Sequence, residues 1–478
     1  MKRMNRRDFL RVAQVALTSA LLAACQPPTP TPAPKATAIP AATPVPTTAP
    51  SATPVPQPTA KPTATSAPTA VPATPAPAVT GDIVMYQLAG SATVMPPLCR
   101  KFEEAHPQAK VKDTYMPFGE YETKLRMLFA AGTPPDVFWF YYNNTIEFPK
   151  NNLVLELDDL IAADRFPIND FFEISRKMFT VGGKLYGIPR ESTSLALYWS
   201  KKAFEDAKLD PPNESWTTDT FLEAAKKLTV ESKDPTQRKF AFLAGTGAGQ
   251  LWATLPWVWL FGGDVVNDDR TAPRLMDEAT IRGFQWVADL INVHKVAPAP
   301  GMLQGMNVTE LFLKGQIAMQ LNGRWIVPTL RQAIEKSLPG TDFDVTFIPK
   351  GPAGRFTRIS AAAYAIGKKA QNIKGGWELI KFFSSKEVTE DLMVKGGVSP
   401  SIISVTKTDL FLEPGKSPAH MKVFADTMQY GRAEPIFENY AKLSNMMEAA
   451  LDPVYNGKQS VREAFAAIQP QVQALFTK

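Results

Sequence analysis

From residue 81 onward, apolar positions follow two rhythms that take turns along the chain. Asp82-Ile83-Val84-Met85-Tyr86 is a short apolar run that predicts a strand, and Leu98, Phe102 and Ala105 then recur at helical spacing. Val111 to Tyr115 predicts a second strand. Tyr121, Leu125 and Leu128 mark one face of a helix that ends near Gly132, with Pro134-Pro135 just beyond as a stop. Val137 to Tyr141 reads as a third, apolar strand. Strand–helix–strand–helix–strand at this spacing predicts βαβ units and a mainly parallel sheet. The pattern returns later. Thr217 is placed to cap a helix bearing Phe221, Ala225 and Leu228, with Asp219 in its first turn. Lys239 to Leu243 reads as a strand, after which Gly245-Thr246-Gly247-Ala248-Gly249 leads into an aromatic helix. Ile359 to Ile366 reads as a strand followed by a helix with Trp377, Ile380 and Ser384 on one stripe.

The first 80 residues obey neither rhythm. Residues 1–24 have a basic start, an apolar run from Val12 to Ala24 and small residues at the end, the layout of a signal peptide. Asn5-Arg6-Arg7-Asp8-Phe9-Leu10-Arg11 resembles the twin-arginine export motif. Leu22-Ala23-Ala24-Cys25 resembles a lipobox, in which the cysteine thiol is acylated and the chain is cut before it; acyl chains then hold the protein to a bilayer. Of the 55 residues 26–80, 44 are Pro, Thr or Ala and none is aromatic. Such a stretch buries too little apolar surface to offset its chain entropy, so an extended tether is expected.

Composition sharpens this division. The chain of 478 residues has a formal charge of +6, and its length implies two or more folded units. Residues 81–478 hold 45 basic and 45 acidic side chains, so the excess charge sits in the leader and tether and gives no argument for a nucleic-acid partner. No apolar run reaches 18 residues, which excludes a transmembrane bundle. Two cysteines, Cys25 and Cys99, exclude a disulfide scaffold, and Cys99 reads as a small core hydrophobe. Three scattered histidines, His106, His294 and His420, argue against a histidine metal site, and no cofactor is expected.

Several local runs carry a resemblance: Phe102-Glu103-Glu104-Ala105-His106-Pro107, Ala130-Ala131-Gly132-Thr133-Pro134-Pro135-Asp136-Val137, Leu155-Glu156-Leu157-Asp158-Asp159, Gly183-Lys184-Leu185-Tyr186-Gly187-Ile188-Pro189, Trp199 to Phe204 with Trp216-Thr217, and Gly315 to Met319 with Gly323-Arg324-Trp325. In this order and spacing, residues 81–478 resemble the extracellular solute-binding proteins of ABC importers, in the sugar-binding group that includes maltose-binding protein. The resemblance implies an α/β, two-lobed periplasmic-binding-protein-like fold of type II: a Venus-flytrap cleft and three interlobe crossings, placed near Pro189–Ser192, Pro349–Arg358 and Gly396–Pro400. The N-lobe would hold 81–190 and 352–397, the C-lobe 191–351 and 398–478. It also implies a monomeric, non-enzymatic, lipid-anchored extracytoplasmic protein that delivers a carbohydrate to a membrane permease driven by a cytoplasmic ATPase.

A neutral sugar offers hydroxyls and flat C–H faces, which amides, carboxylates, arginine and aromatic rings can read. The aromatic candidates are Trp139, Tyr141, Tyr142, Trp252, Trp257, Trp259 and Trp325. Trp139 alternates with Phe138 and Phe140 and reads as core. Trp325 matches the position of the family's sugar-stacking tryptophan, and Trp257 lies on the helix after the Gly-rich loop. Polar candidates follow strand ends, where α/β clefts collect ligands: Gln87, Ser91, Asn143, Asn144, Arg190, Glu191 and Arg324, with Arg358 and Ser360 as further candidates. The Gly245–Gly249 loop lacks the Lys-Ser/Thr of a P-loop and reads as a tight turn that lends an amide, Gly247 for one, to the ligand. Three other readings remain: a same-fold binder of a non-sugar solute such as glycerol phosphate or a polyol, a secreted carboxylate-based glycoside hydrolase, and an adhesin or sensor subunit.

Overall fold

The computed structural model describes residues 78–234, 237–245, 250–303, 308–336, 342–391 and 399–477. The leader, Cys25, the tether up to residue 77, Gly247 and most of the Gly396–Pro400 crossing lie outside them. Residues 75–478 form one compact unit.

Eleven strands run in chain order among the described residues. They are β1 (Gly81–Leu88), β2 (Ala109–Met116), β3 (Val137–Tyr141), β4 (Thr180–Val181), β5 (Lys184–Leu185), β6 (Ile188–Ser200), β7 (Phe240–Leu243), β8 (Ile317–Gly323), β9 (Phe343–Thr346), β10 (Thr357–Ala365) and β11 (Gly431–Ala433). Nine belong to one sheet in the order β2-β1-β3-β10-β6-β8-β7, with β11 added beside β10 and β9 beside β6; β4 and β5 form a separate hairpin.

The β2-β1-β3 end is parallel, as the strand–helix rhythm predicts, with the helices Met95–Ala105 and Phe118–Ala130 as crossovers. Phe118–Ala130 stops where Gly132 turns to φ +73°, a conformation glycine takes without strain. Asp136, which follows the two prolines, is buried; its carboxylate accepts the Val84 N–H at 2.8 Å and the Asn372 N–H at 2.7 Å, and so pins β1 to the helix Ile373–Phe383. The helix Thr218–Leu228 starts on a capping box in which Thr217 and Thr220 exchange bonds.

The sheet as a whole is mixed, a correction to the expected mainly parallel one. β10 runs antiparallel to β3 and β6, and β6 antiparallel to β8 and β9. Alternating elements specify direction within one βαβ unit, but β10 enters only after the chain has crossed to the second lobe and returned from the opposite side.

The two lobes meet on β6. Its Ile188–Ser194 portion pairs with β10, and Leu195–Ser200 pair with β8 on one edge and β9 on the other. Between Ala363↔Pro189 and Ala362↔Glu191 the register slips, leaving Arg190 as an extra residue opposite no partner. Proline has no N–H to give the ladder, and a bulge re-aims the side chains beside it. The second lobe is built around Phe221, Phe242, Trp257 and Trp286, with the helices Tyr440–Tyr455 and Val461–Gln473 packed against Glu278–Asn292. Cys99 is buried in the first-lobe core, and desolvation pushes its thiol up to about 12, as for an inert core residue.

Candidate functional site

A cleft of about 450 Å³ opens in the second lobe at the carboxyl ends of β7 and β8, bordered by the helix Leu251–Trp259. Trp252 and Trp325 form its aromatic wall, 6.5 Å apart between ring centroids and edge to face at 61°. Gln250, Gln320 and Asn322 supply amides. Gln320 and Asn322 alternate on β8, so both face the cleft side; Asn322 Nδ2 donates to Gln320 Oε1 at 3.2 Å, while Gln320 Nε2, nearly fully buried, meets no acceptor. Among the described residues, no ionisable side chain lines this cleft.

Trp325 is 40% exposed, unusual for a tryptophan. Its ring lies over Gly323, where an added Cβ would come within 2.0 Å of it. The glycine of the Gly-Arg-Trp run is therefore a seat for the ring. Gly323→Ala is expected to displace it at a stability cost of about 1 kcal/mol and to weaken the near-ultraviolet circular dichroism of the Trp252–Trp325 pair; an unchanged spectrum would show that the seat is not needed.

A second group sits at the bulge in β6. Arg190 is buried and donates to Tyr364 Oη at 3.2 Å, Glu191 Oε2 at 2.5 Å and Ser91 Oγ at 2.9 Å. Burial works against its charge, but Glu191 and Tyr364 beside it hold its pKa above the ordinary value. Glu191 also accepts the Trp139 indole N–H at 3.1 Å. Gln87, near the carboxyl end of β1, is fully buried with neither amide atom bonded.

Rings link the two groups. Trp139 stacks on Tyr141 at 5.1 Å, Tyr141 meets Tyr142 at 4.6 Å, and Arg358 lies 5.9 Å over Tyr142 and 5.2 Å over Trp252. Phe118, 53% exposed, packs edge-on against both Trp139 and Tyr141. The result is a run of aromatic faces from the first lobe to the second, with hydrogen-bonding groups at each end.

The structure thus brings Ser91, Arg190 and Glu191 together, leaves Gln87 buried near the end of β1 without a bond to them, and sets Trp325 on a cleft wall. Tyr142 is buried in the linking run. Four expected residues lie elsewhere. Trp257 is fully buried and stacked on Trp286 at 5.1 Å; Trp252, five residues earlier, points about 140° away around the same helix and lines the cleft in its place. Arg324 turns away from the cleft into a second core, 3.6 Å from Glu413 and over the Phe411 ring, where burial pulls its guanidinium down to about 10. Asn144 is committed inside its own lobe, donating to both Glu122 oxygens and accepting from Arg126, while Asn143 is simply exposed. Gly247 lies outside the described residues.

Phe118, Gln250, Gln320 and Asn322 were not among the sequence candidates, nor was Glu434, whose buried carboxylate accepts from Arg358, Tyr142 and Tyr440. The alternation of Gln320 and Asn322 at a strand's carboxyl end was a usable signal; nothing local marks Glu434, which reaches its partners through the fold.

A model of the bacterial extracellular solute-binding protein family matches residues 87–390. The galactooligosaccharide-binding protein of Bacillus subtilis is 24% identical over 374 residues, covering 76% of this chain and 82% of its own. The sugar-binding protein MalE of Xanthomonas citri superposes with a TM-score of 0.73 at 20% identity, over 83% of this chain and 97% of its own. An ABC substrate-binding protein of Listeria monocytogenes, solved with cycloalternan, gives 0.72 at 20% identity, over 83% and 99%.

Proposed function

Since the chain belongs to the bacterial extracellular solute-binding proteins, we propose that it captures a neutral carbohydrate between its lobes and hands it to the permease of an ABC importer. The observation that carries this reading is the cleft itself: two tryptophan faces, three amide side chains and no ionisable group among the described residues. Such walls suit C–H faces and neutral hydroxyls. They offer no cation to a phosphate, and Arg190 in the other half of the site is already paired with Glu191, which sets glycerol phosphate behind a sugar or polyol. The galactooligosaccharide and cycloalternan named for two similar proteins agree with this choice.

Each group has a role. Trp252 and Trp325 cover the apolar faces of a sugar ring, Gln320 Nε2 donates to a hydroxyl, and Asn322 and Gln250 complete the second-lobe contacts. On the first-lobe side, where the β10-paired part of β6 carries Glu191 just beyond the expected boundary at residue 190, Glu191 accepts from hydroxyls and Arg190 and Ser91 hold it in place. Because the two sets lie in different lobes, a ligand that touches both binds the closed form more tightly, and that difference shifts the population toward closure. The closed form is what the permease reads, and the ATPase supplies the work of import.

The family places the protein outside the cytoplasm. In our reading the leader directs export through the twin-arginine route, Cys25 carries the lipid anchor, and the proline-rich stretch holds a monomeric binding unit clear of the membrane. A thermal-shift screen tests the ligand class. A neutral mono- or oligosaccharide at 100 times its Kd is expected to stabilise the protein by about 2.7 kcal/mol. If no carbohydrate raises the midpoint and a phosphorylated or amino-acid ligand does, the assignment is wrong; turnover of an oligosaccharide would replace binding with hydrolysis.

A further inference from the structure

One arginine touches both lobes and the cleft wall. Arg358 lies near the start of β10 and is 6% exposed. Its Nε and Nη2 both stand 2.5 Å from Glu434 Oε2, and Nη2 donates to Tyr142 Oη at 2.8 Å. The Tyr142 hydroxyl in turn donates to Glu434, and Tyr440 donates to the other carboxylate oxygen at 2.9 Å. These bonds use the edge of the guanidinium and leave its face, which lies 5.2 Å over Trp252. A planar guanidinium can bond by its edge and stack by its face at once; an ammonium cannot.

The neighbouring strand repeats the device. Arg358 pairs with Arg432 on β11, and Arg432 bonds Asp264 at 2.9 Å while lying 5.1 Å over Trp259. Trp252 and Trp259 are seven residues apart, almost two full turns, and so share one face of their helix. Two adjacent arginines therefore grip that helix at both ends. Among the described residues, the Trp252 end is the one that also walls the cleft, and Arg358 at that end is bonded to Tyr142, which directly follows β3.

We propose that Arg358 is a positioning residue for ligand binding: it orients Trp252 in the cleft and couples that ring, through Tyr142 and Glu434, to the relative placement of the lobes. A movement of Tyr142 against the second lobe strains the bonds to Arg358 and is felt at Trp252. By linkage, a ligand stacked on Trp252 biases the same junction. The inference rests on the reading of the Trp252–Trp325 cleft as the carbohydrate site.

The test compares wild type, Arg358→Lys and Tyr142→Phe, each also in a Trp252→Phe background, using the full chain. Without ligand, Arg358→Lys is expected to change the near-ultraviolet circular dichroism and raise acrylamide quenching of tryptophan, and both changes should vanish with Trp252→Phe. A general structural defect would persist in that background and would overturn the proposal, as would a spectrum identical to wild type. With maltotriose as the probe, Arg358→Lys is expected to weaken binding about tenfold and Tyr142→Phe about threefold. In the Trp252→Phe background each should cost less than about twofold, since the ring they act through has been replaced. Full effects there sink the coupling. Should Arg358→Lys fail to fold, Tyr142→Phe, which leaves the ion pair intact, decides by the same criteria. If wild type binds neither maltotriose nor any other neutral sugar, the carbohydrate reading fails, and the ligand-free spectra still decide the role of Arg358.

Discussion

Trp325→Ala is expected to weaken carbohydrate binding roughly thirtyfold, about 2 kcal/mol, while leaving stability within about 0.5 kcal/mol of wild type. The two halves of this result have different causes. The ring is 40% exposed, so its removal opens no sealed cavity and forfeits few core contacts. It is also half of the aromatic wall, packed edge-on against Trp252 and seated on Gly323, so a sugar face meets it preorganised. Truncation removes the stacking surface and lets water reach the amides of Gln320 and Asn322 beside it. Calorimetric titration with the best carbohydrate from the thermal-shift screen, paired with chemical denaturation, separates the two halves. Affinity unchanged by the substitution would remove Trp325 from the site.

How much of this was legible in the sequence depends on the distance over which each residue finds its partners. β3 coincides with the predicted Val137–Tyr141, because a short apolar run bounded by prolines and a polar turn has one local solution. Thr217 caps its helix as read, again a local matter. Strand direction was misjudged where it depends on a return from the other lobe. Within the site, the error over Trp257 is one of phase: the helix was expected, but its buried and open faces are set by Trp286 and Phe221, which pack against it from elsewhere in the chain. Arg324 was misplaced for a similar reason. Its neighbour Trp325 faces the cleft, and the 3₁₀ turn Arg324–Ile326 sends the guanidinium the other way, toward Glu413 almost ninety residues on.

Glu434 is the clearest remote case, and its replacement carries the largest stability effect we expect. Its carboxylate is 7% exposed and accepts from Arg358, Tyr142 and Tyr440, which come from three separate parts of the chain. Glu434→Ala removes the acceptor and leaves the Arg358 guanidinium buried without its counter-charge, a change that typically costs about 3–5 kcal/mol. The two tyrosine hydroxyls lose an acceptor as well, so the upper part of that range is expected. Glu434→Gln keeps the shape and one acceptor oxygen but not the charge, and should fall between alanine and wild type. Removing both ends of the ion pair, as Arg358→Met with Glu434→Leu, should recover much of the loss, because desolvated charges return little net stability once both are replaced by apolar groups. Denaturant unfolding of the four proteins gives the comparison. If the double variant is no more stable than Glu434→Ala, the loss comes from packing and the tyrosine hydroxyls rather than the stranded charge. An alanine variant within about 1 kcal/mol of wild type would mean that water reaches this junction, and that the closed network around Arg358 is not maintained in solution.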